Sequence, residues 1–352
     1  MLKSIEIKNY RGIKNLKIDN FKKYNFFVGD NGSCKTTILE SLFSAFPNSP
    51  EGIITAANSR GLQVNLDNKY NFFFNADEEN KIEFILNDEI VTKINTKNFI
   101  EKNSLDLTNT SVSIEAKLSS LMSPKFLYNS LKSHGEKVFL DVDIMIDKIF
   151  NITTNIKDIN NNLLNKYSKI YGSSYFISPS IKYKGNASLV IKELIKNKKK
   201  NELIDILNLF EKDIDDINLD GSQVLLSKKG VKKLLPISSF GGGLSSILDI
   251  VTYLFDDEIK TLFIDEIETG IHYLNYLKFC ESLIKVSKEK DIQLFITTHS
   301  KEILEEFYKI LENTNKDDTC LYRFQKNNDT IKSIYYTKER ALSAIQNNWD
   351  VR

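Results

Sequence analysis

Gly29-Asp30-Asn31-Gly32-Ser33-Cys34-Lys35-Thr36-Thr37 lies between two apolar segments. Before it, Phe26-Phe27-Val28 reads as a short buried strand. After it, Ile38, Leu39, Leu42, Phe43 and Phe46 recur at helical spacing. A strand, a glycine-containing loop, Lys-Thr and a helix are the parts of a phosphate-binding loop. Loop N–H groups and the helix N-terminus converge there, and the helix dipole favours negative charge. Asn31, Gly32, Ser33, Cys34, Lys35, Thr36 and Thr37 are therefore the candidate nucleotide contacts, with Lys35 reaching the outer phosphates and Thr36 taking a Mg²⁺ position. The usual pattern has glycine immediately before the lysine, where this chain has Cys34. A residue at a helix start can hold an ordinary φ, so a small side chain is compatible with the loop.

Working outward, the 352 residues suffice for one large domain or two. Lys+Arg is 48 and Asp+Glu is 47, a near balance that argues against a globally basic nucleic-acid binder. Cys34, Cys280 and Cys320 form neither a metal-ligand spacing nor a disulfide framework, which fits a reducing cytoplasm. No apolar run has the length of a membrane span, and the start of the chain is not a signal peptide.

Upstream of the loop, Leu2 to Ile7 alternates like a strand, with a second short strand around Leu16 to Ile18. Pro47 and Pro50 close the first helix. Gln63 to Leu66, Tyr70 to Phe74 and Lys81 to Leu86 read as antiparallel strands. From about 115 to 170 the chain reads as helical. Val142, Met145, Ile149, Ile152, Ile156, Ile159 and Leu163 form a heptad seam, either in one packed helix or in a short arm. Tyr175-Phe176-Ile177 reads as a strand and residues 188–219 as helices. The basic run Lys196 to Lys200 is either a solvated face or a DNA contact.

Beyond residue 234 the motifs are dense. Ser239-Phe240-Gly241-Gly242-Gly243 precedes a helix carrying Leu244, Ile247, Leu248, Val251 and Leu254. Lys260 to Ile264 is a strand ending in Asp265-Glu266, a helix runs from about His272 to Lys288, and Ile292 to Ile296 is a strand ending in Thr297-Thr298-His299-Ser300. Strand, helix and strand of these lengths form a parallel crossover, whose ligand sits at the carboxyl ends of the strands. Asp265 there can hold a Mg²⁺ hydration shell and Glu266 can polarise a water. His299 is either a phosphate contact or a capping residue. The glycine run Gly241 to Gly243 is either an ordinary helix start or a cap on a nucleotide held by another subunit.

Taken together, these motifs and their order resemble ABC-type ATPases, in the group of SMC, RecF and OLD (overcoming lysogenization defect) proteins. Asn9-Tyr10-Arg11-Gly12, Asp265-Glu266-Ile267-Glu268-Thr269-Gly270-Ile271-His272 and the closing Asn347 to Arg352 are similar to that group. The resemblance implies an α/β fold: a P-loop NTPase head of ABC type with a mixed, mostly parallel sheet, an N-terminal antiparallel β subdomain and an inserted helical segment. The expected divisions are 1–110, 111–220 (mainly helical) and 221–352. It implies ATP and Mg²⁺ as cofactors, with Thr36 and Asp265 at the metal through water, Glu266 as catalytic base and His299 as switch histidine. Arg11, Ser239, Gly241 and Gly243 would touch nucleotide. Glu268, Gly270 and His272 would lie in a loop crossing to the partner subunit. Gln63 is the candidate Q-loop glutamine. The expected partners are a second copy of the chain and a separate effector (nuclease or toxin), with DNA possible, in bacterial anti-phage defence or DNA maintenance. Residues 301–352 are too few for the Toprim nuclease domain of OLD nucleases.

Overall fold

The computed structural model describes residues 1–45, 69–77, 79–88, 90–96, 139–142, 150–156, 173–179, 187–314 and 317–347. In chain order its first half holds β1 (Ile5–Tyr10), β2 (Ile13–Ile18), β3 (Tyr24–Gly29), α1 (Lys35–Ser44), β4 (Ile82–Leu86), β5 (Ile90–Thr96), β6 (Phe139–Val142), β7 (Phe150–Ile156) and β8 (Ser173–Ile177). Then come α2 (Ala187–Lys196), α3 (Lys200–Leu207), β9 (Ile214–Asp220), β10 (Gln223–Lys228), β11 (Leu235–Pro236) and α4 (Gly242–Leu254). The last part holds β12 (Ile259–Ile264), α5 (Tyr276–Glu289), β13 (Gln293–Thr297), α6 (Lys301–Leu311), β14 (Thr319–Asn327), β15 (Thr330–Thr337) and α7 (Lys338–Gln346).

The central sheet has the order β15-β14-β3-β13-β12-β8 and is parallel except for β15 at its edge. Its inner strands are buried on both faces, which is why they read as unbroken apolar runs. The two faces are chemically distinct. Phe26, Leu262, Ile264, Leu294, Ile296 and Leu321 point into one core, beneath the helices α2 to α7. Phe27, Phe176, Phe263, Phe295, Tyr322 and Phe324 point into the other, against α1 and the N-terminal sheet. Stacked and edge-on rings fill that second core, with Phe263 on Phe295 at 5.2 Å and Phe27 edge-on to Phe324 at 5.3 Å. Ile38, Leu39, Leu42 and Phe43 of α1 belong to it, together with Ile5 and Ile7 of β1. Every residue of α1 except Thr36 is buried, so the helix that begins at the P-loop is fixed between two sheets.

The N-terminal sheet is antiparallel throughout, in the order β2-β1-β4-β5-β7-β6. A third, small antiparallel sheet runs β11-β10-β9.

Three local expectations are corrected. The heptad seam places Ile152 and Ile156 on a helix, but Phe150 to Ile156 is strand β7, paired with β5 through Ile90↔Ile156 and Ile94↔Ile152. Val142 closes strand β6. Phe150, Ile152, Thr154 and Ile156 also fit a period of two, and β-branched residues favour the pleated backbone. The part of the expected mainly helical insertion that falls here is therefore sheet. Met145, Ile149, Ile159 and Leu163 lie outside the described residues, as do Gln63 to Leu66 and Asn348 to Arg352.

Tyr70 to Phe74 is not a strand. Lys69–Phe72 and Phe74–Ala76 are 3₁₀ turns, and Asn75 and Ala76 hold φ of 55° and 54°. Phe72, Phe73 and Phe74 are buried, so their apolar run reflects insertion into the core from a turn. The helices expected over 188–219 end at Leu207. Asn208 accepts from Ile214 N and donates to the carbonyls of Ile204 and Ile214, turning the chain into strand β9.

Candidate functional site: a P-loop at the carboxyl edge of the central sheet

β3 ends at Gly29, whose φ is 142°. A Cβ there would lie 2.3 Å from the Phe324 carbonyl oxygen and 2.8 Å from Ser33 Oγ, so only glycine lets the chain turn at this point. The loop then reaches Cys34, the residue before α1, at φ 68° and ψ 19°. This is the left-handed region, and it overturns the expectation of an ordinary φ. Glycine is favoured there because a Cβ makes the conformation costly. Cys34 Sγ turns back to the Gly32 carbonyl at 3.7 Å.

Lys35 opens α1 and is only 6% exposed. Its ammonium donates to the carbonyls of Gly29 (2.7 Å) and Asp30 (3.1 Å), which ties the loop to the helix. Burial pushes its pKa down, opposed by the nearby carboxylates of Asp265, Asp30, Glu266 and Glu268. Those four acids and Lys35 therefore share one electrostatic neighbourhood.

Thr36 Oγ1 donates to Asp265 Oδ1 at 3.0 Å, and Thr297 Oγ1 donates to the same oxygen at 2.6 Å. Thr297 Oγ1 in turn accepts from Glu266 N at 2.8 Å. One chain of hydrogen bonds thus joins the start of α1, the end of β12 and the end of β13. Asp265 is 4% exposed, and its backbone N–H is held by the Ile177 carbonyl of β8 at 2.8 Å. Glu266 stands at φ 47°, a strained left-handed backbone immediately after β12. Its Oε2 accepts from Thr269 Oγ1.

Two positions are set by residues whose part was not legible in the sequence. Thr297 links Asp265 to Glu266. Glu268 holds the β13–α6 turn, accepting from Thr298 Oγ1 at 2.7 Å and from His299 N at 2.8 Å. The Thr-Thr pair closing β13 was the only available signal for the first. His299 is half-buried, and Ser300 caps α6 by accepting from Ile303 N.

Arg11 sits in the β1–β2 turn at φ 50°. Its guanidinium lies over the rings of Tyr10 and Phe72, and Nε is 3.6 Å from the fully buried Glu40 carboxylate. Among the described residues, Arg11 Nε and Nη2 and the buried Ser33 Oγ have no hydrogen-bond partner. Asp30, Asn31, Gly32 and Ser33 line a groove of about 320 Å³ with Lys326 and Asn328 of the β14–β15 hairpin.

Ser239, Gly241 and Gly243 are not brought to this groove. Ser239 belongs to a 3₁₀ turn, Ile237–Phe240, and Gly241 takes φ 89° ahead of α4. Ser239 and Gly241 are exposed, and Gly243 packs against the Gly270 carbonyl, where a Cβ would meet it at 3.2 Å. His272 caps a 3₁₀ turn, accepting at Nδ1 from Leu274 N. The basic run is largely neutralised within the chain. Lys196 pairs with Glu193, Lys199 with Asp257 and Lys200 with Asp216. Among the described residues, no group of three or more His, Cys, Asp or Glu forms a metal site, and no helix is long and apolar enough to cross a membrane.

Thr36 ties the P-loop to the acid that closes β12, two strands along the same parallel sheet, and this is the arrangement of a P-loop nucleotide-binding head. The family model described as "AAA domain, putative AbiEii toxin, Type IV TA system" matches residues 24–305, and the chain belongs to that family. It is 28% identical over 326 residues to an "ATP/GTP phosphatase" of Helicobacter pylori, covering 87% of each chain. A shorter match of 52 residues, 42% identical, joins it to an uncharacterized protein, MJECL10, of Methanocaldococcus jannaschii, covering 15% of this chain and 23% of that one. The fold is that of the SMC head. A crystal structure of an SMC head bound to the C-winged helix domain of ScpA superposes with a TM-score of 0.57 at 12% identity, covering 97% of this chain and 99% of that one.

Proposed function

We propose that the chain binds Mg·ATP on the P-loop, hydrolyses it and pairs with a second copy around the nucleotide to gate a separate effector. The observation that carries this reading is the hydrogen bond from Thr36 to Asp265, backed by Thr297. It brings together the hydroxyl and the carboxylate that a Mg²⁺ site of this chemistry uses. Mg²⁺ is usually held by one or two carboxylates, phosphates and several waters, so a small donor set fits it. Bound Mg²⁺ would neutralise charge on the outer phosphates. The buried Ser33 hydroxyl, which lines the groove and has no hydrogen-bond partner among the described residues, fits an anionic ligand.

Lys35 is cast as the phosphate cation, Glu266 as the base that orients water, and His299 as the residue that senses the outer phosphate. Asn31 to Thr37 supply the cradle. Ser239 and Gly241 are exposed, and neither they nor Gly243 line the groove, which supports their use by the partner's nucleotide. ATP then acts as interface glue and hydrolysis loosens it. The family description, which names a putative toxin of a type IV toxin–antitoxin system, and the OLD-type motifs support a setting in bacterial anti-phage defence.

The test is ATP turnover by the purified chain beside Glu266→Gln and Lys35→Ala. Glu266→Gln should bind ATP and lose about 100-fold or more in rate, and Lys35→Ala should lose binding. Equal turnover by wild type and Glu266→Gln would remove the base assignment. A second reading, a nucleotide sensor with little turnover, is favoured by one feature, the Cys34 side chain in the phosphate cradle. It requires ATP binding without hydrolysis in both wild type and Glu266→Gln.

A further inference from the structure

β14 pairs with β3 from Thr319↔Tyr24 to Phe324↔Gly29, the residue at which β3 turns into the P-loop. β14 continues to Asn327, so its last residues run past the carboxyl end of β3. Side chains alternate along a strand, so Lys326 shares its face with Phe324 and Tyr322. That face is the α1 side of the sheet.

The contacts at Gly12 agree. A Cβ built there would lie 3.2 Å from Lys326 Nζ and 3.3 Å from Cys34 Sγ. The hairpin ammonium, the β1–β2 turn and the last loop residue thus meet at one point. Lys326 is exposed, and among the described residues no carboxylate forms an ion pair with it, although Asp30 lines the same groove. Ser33 Oγ, buried in that wall, has no hydrogen-bond partner among the described residues.

We infer that Lys326 is a second phosphate-binding cation, delivered by the β14–β15 hairpin to the open side of the P-loop groove, where it contacts a nucleoside polyphosphate. Lys35 engages the same ligand from the buried side. The inference rests on the P-loop being a nucleotide site. On this reading part of the attraction for the phosphates comes from outside the loop, from the side of the groove opposite Lys35.

The experiment is calorimetric titration of the full chain with Mg·ATP, using wild type, Lys326→Ala, Lys326→Glu, Lys326→Arg and Lys35→Ala. Lys326→Ala should weaken ATP about five- to tenfold, and Lys326→Glu further. Lys326→Arg should stay within about twofold of wild type, since it keeps the charge. The deficit of Lys326→Ala should shrink as salt rises, because the group is exposed. Melting temperatures without nucleotide should be unchanged, which separates a ligand contact from a structural role. Wild-type affinity in Lys326→Glu, with binding abolished in Lys35→Ala, would overturn the Lys326 assignment and leave the nucleotide site standing. No ATP binding by wild type would overturn both.

Discussion

Cys34 carries a backbone conformation suited to glycine in the middle of the phosphate cradle. Relief of that strain should make Cys34→Gly more stable by up to about 1 kcal/mol, less the extra entropy of an unfolded glycine. Urea denaturation reads the stability, and ATP titration should give equal or tighter binding. Loss of activity would assign the thiol a role of its own. The other two cysteines behave differently. Burial pushes Cys280 well above the ordinary thiol range and pushes Cys320 up to about 12. Both are fully buried, whereas Cys34 is partly exposed. Alkylation of the folded protein near pH 8, followed by mass spectrometry, should label Cys34 and spare Cys280 and Cys320. At this scale the residue types of the site were legible in the sequence, because Gly-Asp-Asn-Gly-Ser-Cys-Lys-Thr-Thr and Ile-Asp-Glu each carry their chemistry locally. The φ of Cys34 was not legible, because it follows from how Gly29 and α1 are pinned by neighbours far away in the chain.

The elements convert those residues into a site by ending at one edge. Gly29 is the tightest joint, since its missing side chain lets β14 pair alongside the loop. Gly29→Ala should cost about 2–4 kcal/mol and abolish ATP binding, as seen by thermal unfolding and titration. A stable Gly29→Ala that binds ATP would mean that the β3–β14 joint tolerates displacement. Glu268 ties the turn after β12 to the end of β13. Glu268→Ala should lower turnover about tenfold or more through misplacement of His299, with ATP affinity nearly unchanged. A matching fall in affinity would instead put Glu268 in the binding step. The strands β3, β12 and β13 were readable as apolar runs. Strand β7 was not, because Ile152 and Ile156 fit a period of 3.5 and a period of 2 alike, and only pairing with β5 decides between them. The groove wall from Lys326 was equally hidden, since it depends on a hairpin paired across nearly the whole length of the chain.

At the scale of the whole molecule, one chain presents its P-loop groove and its glycine-rich start of α4 as separate surfaces. Ser239 and Gly241 are exposed ahead of α4, and the first N–H groups of a helix have no partner within it. If a second copy supplies those groups to the nucleotide, association must depend on ATP and persist when hydrolysis is blocked. The direct measurement is mass photometry of Glu266→Gln with and without Mg·ATP. Addition of Mg·ATP should convert monomers to dimers, and Lys35→Ala should abolish the conversion. A mass that stays that of one chain at saturating Mg·ATP would contradict the composite site.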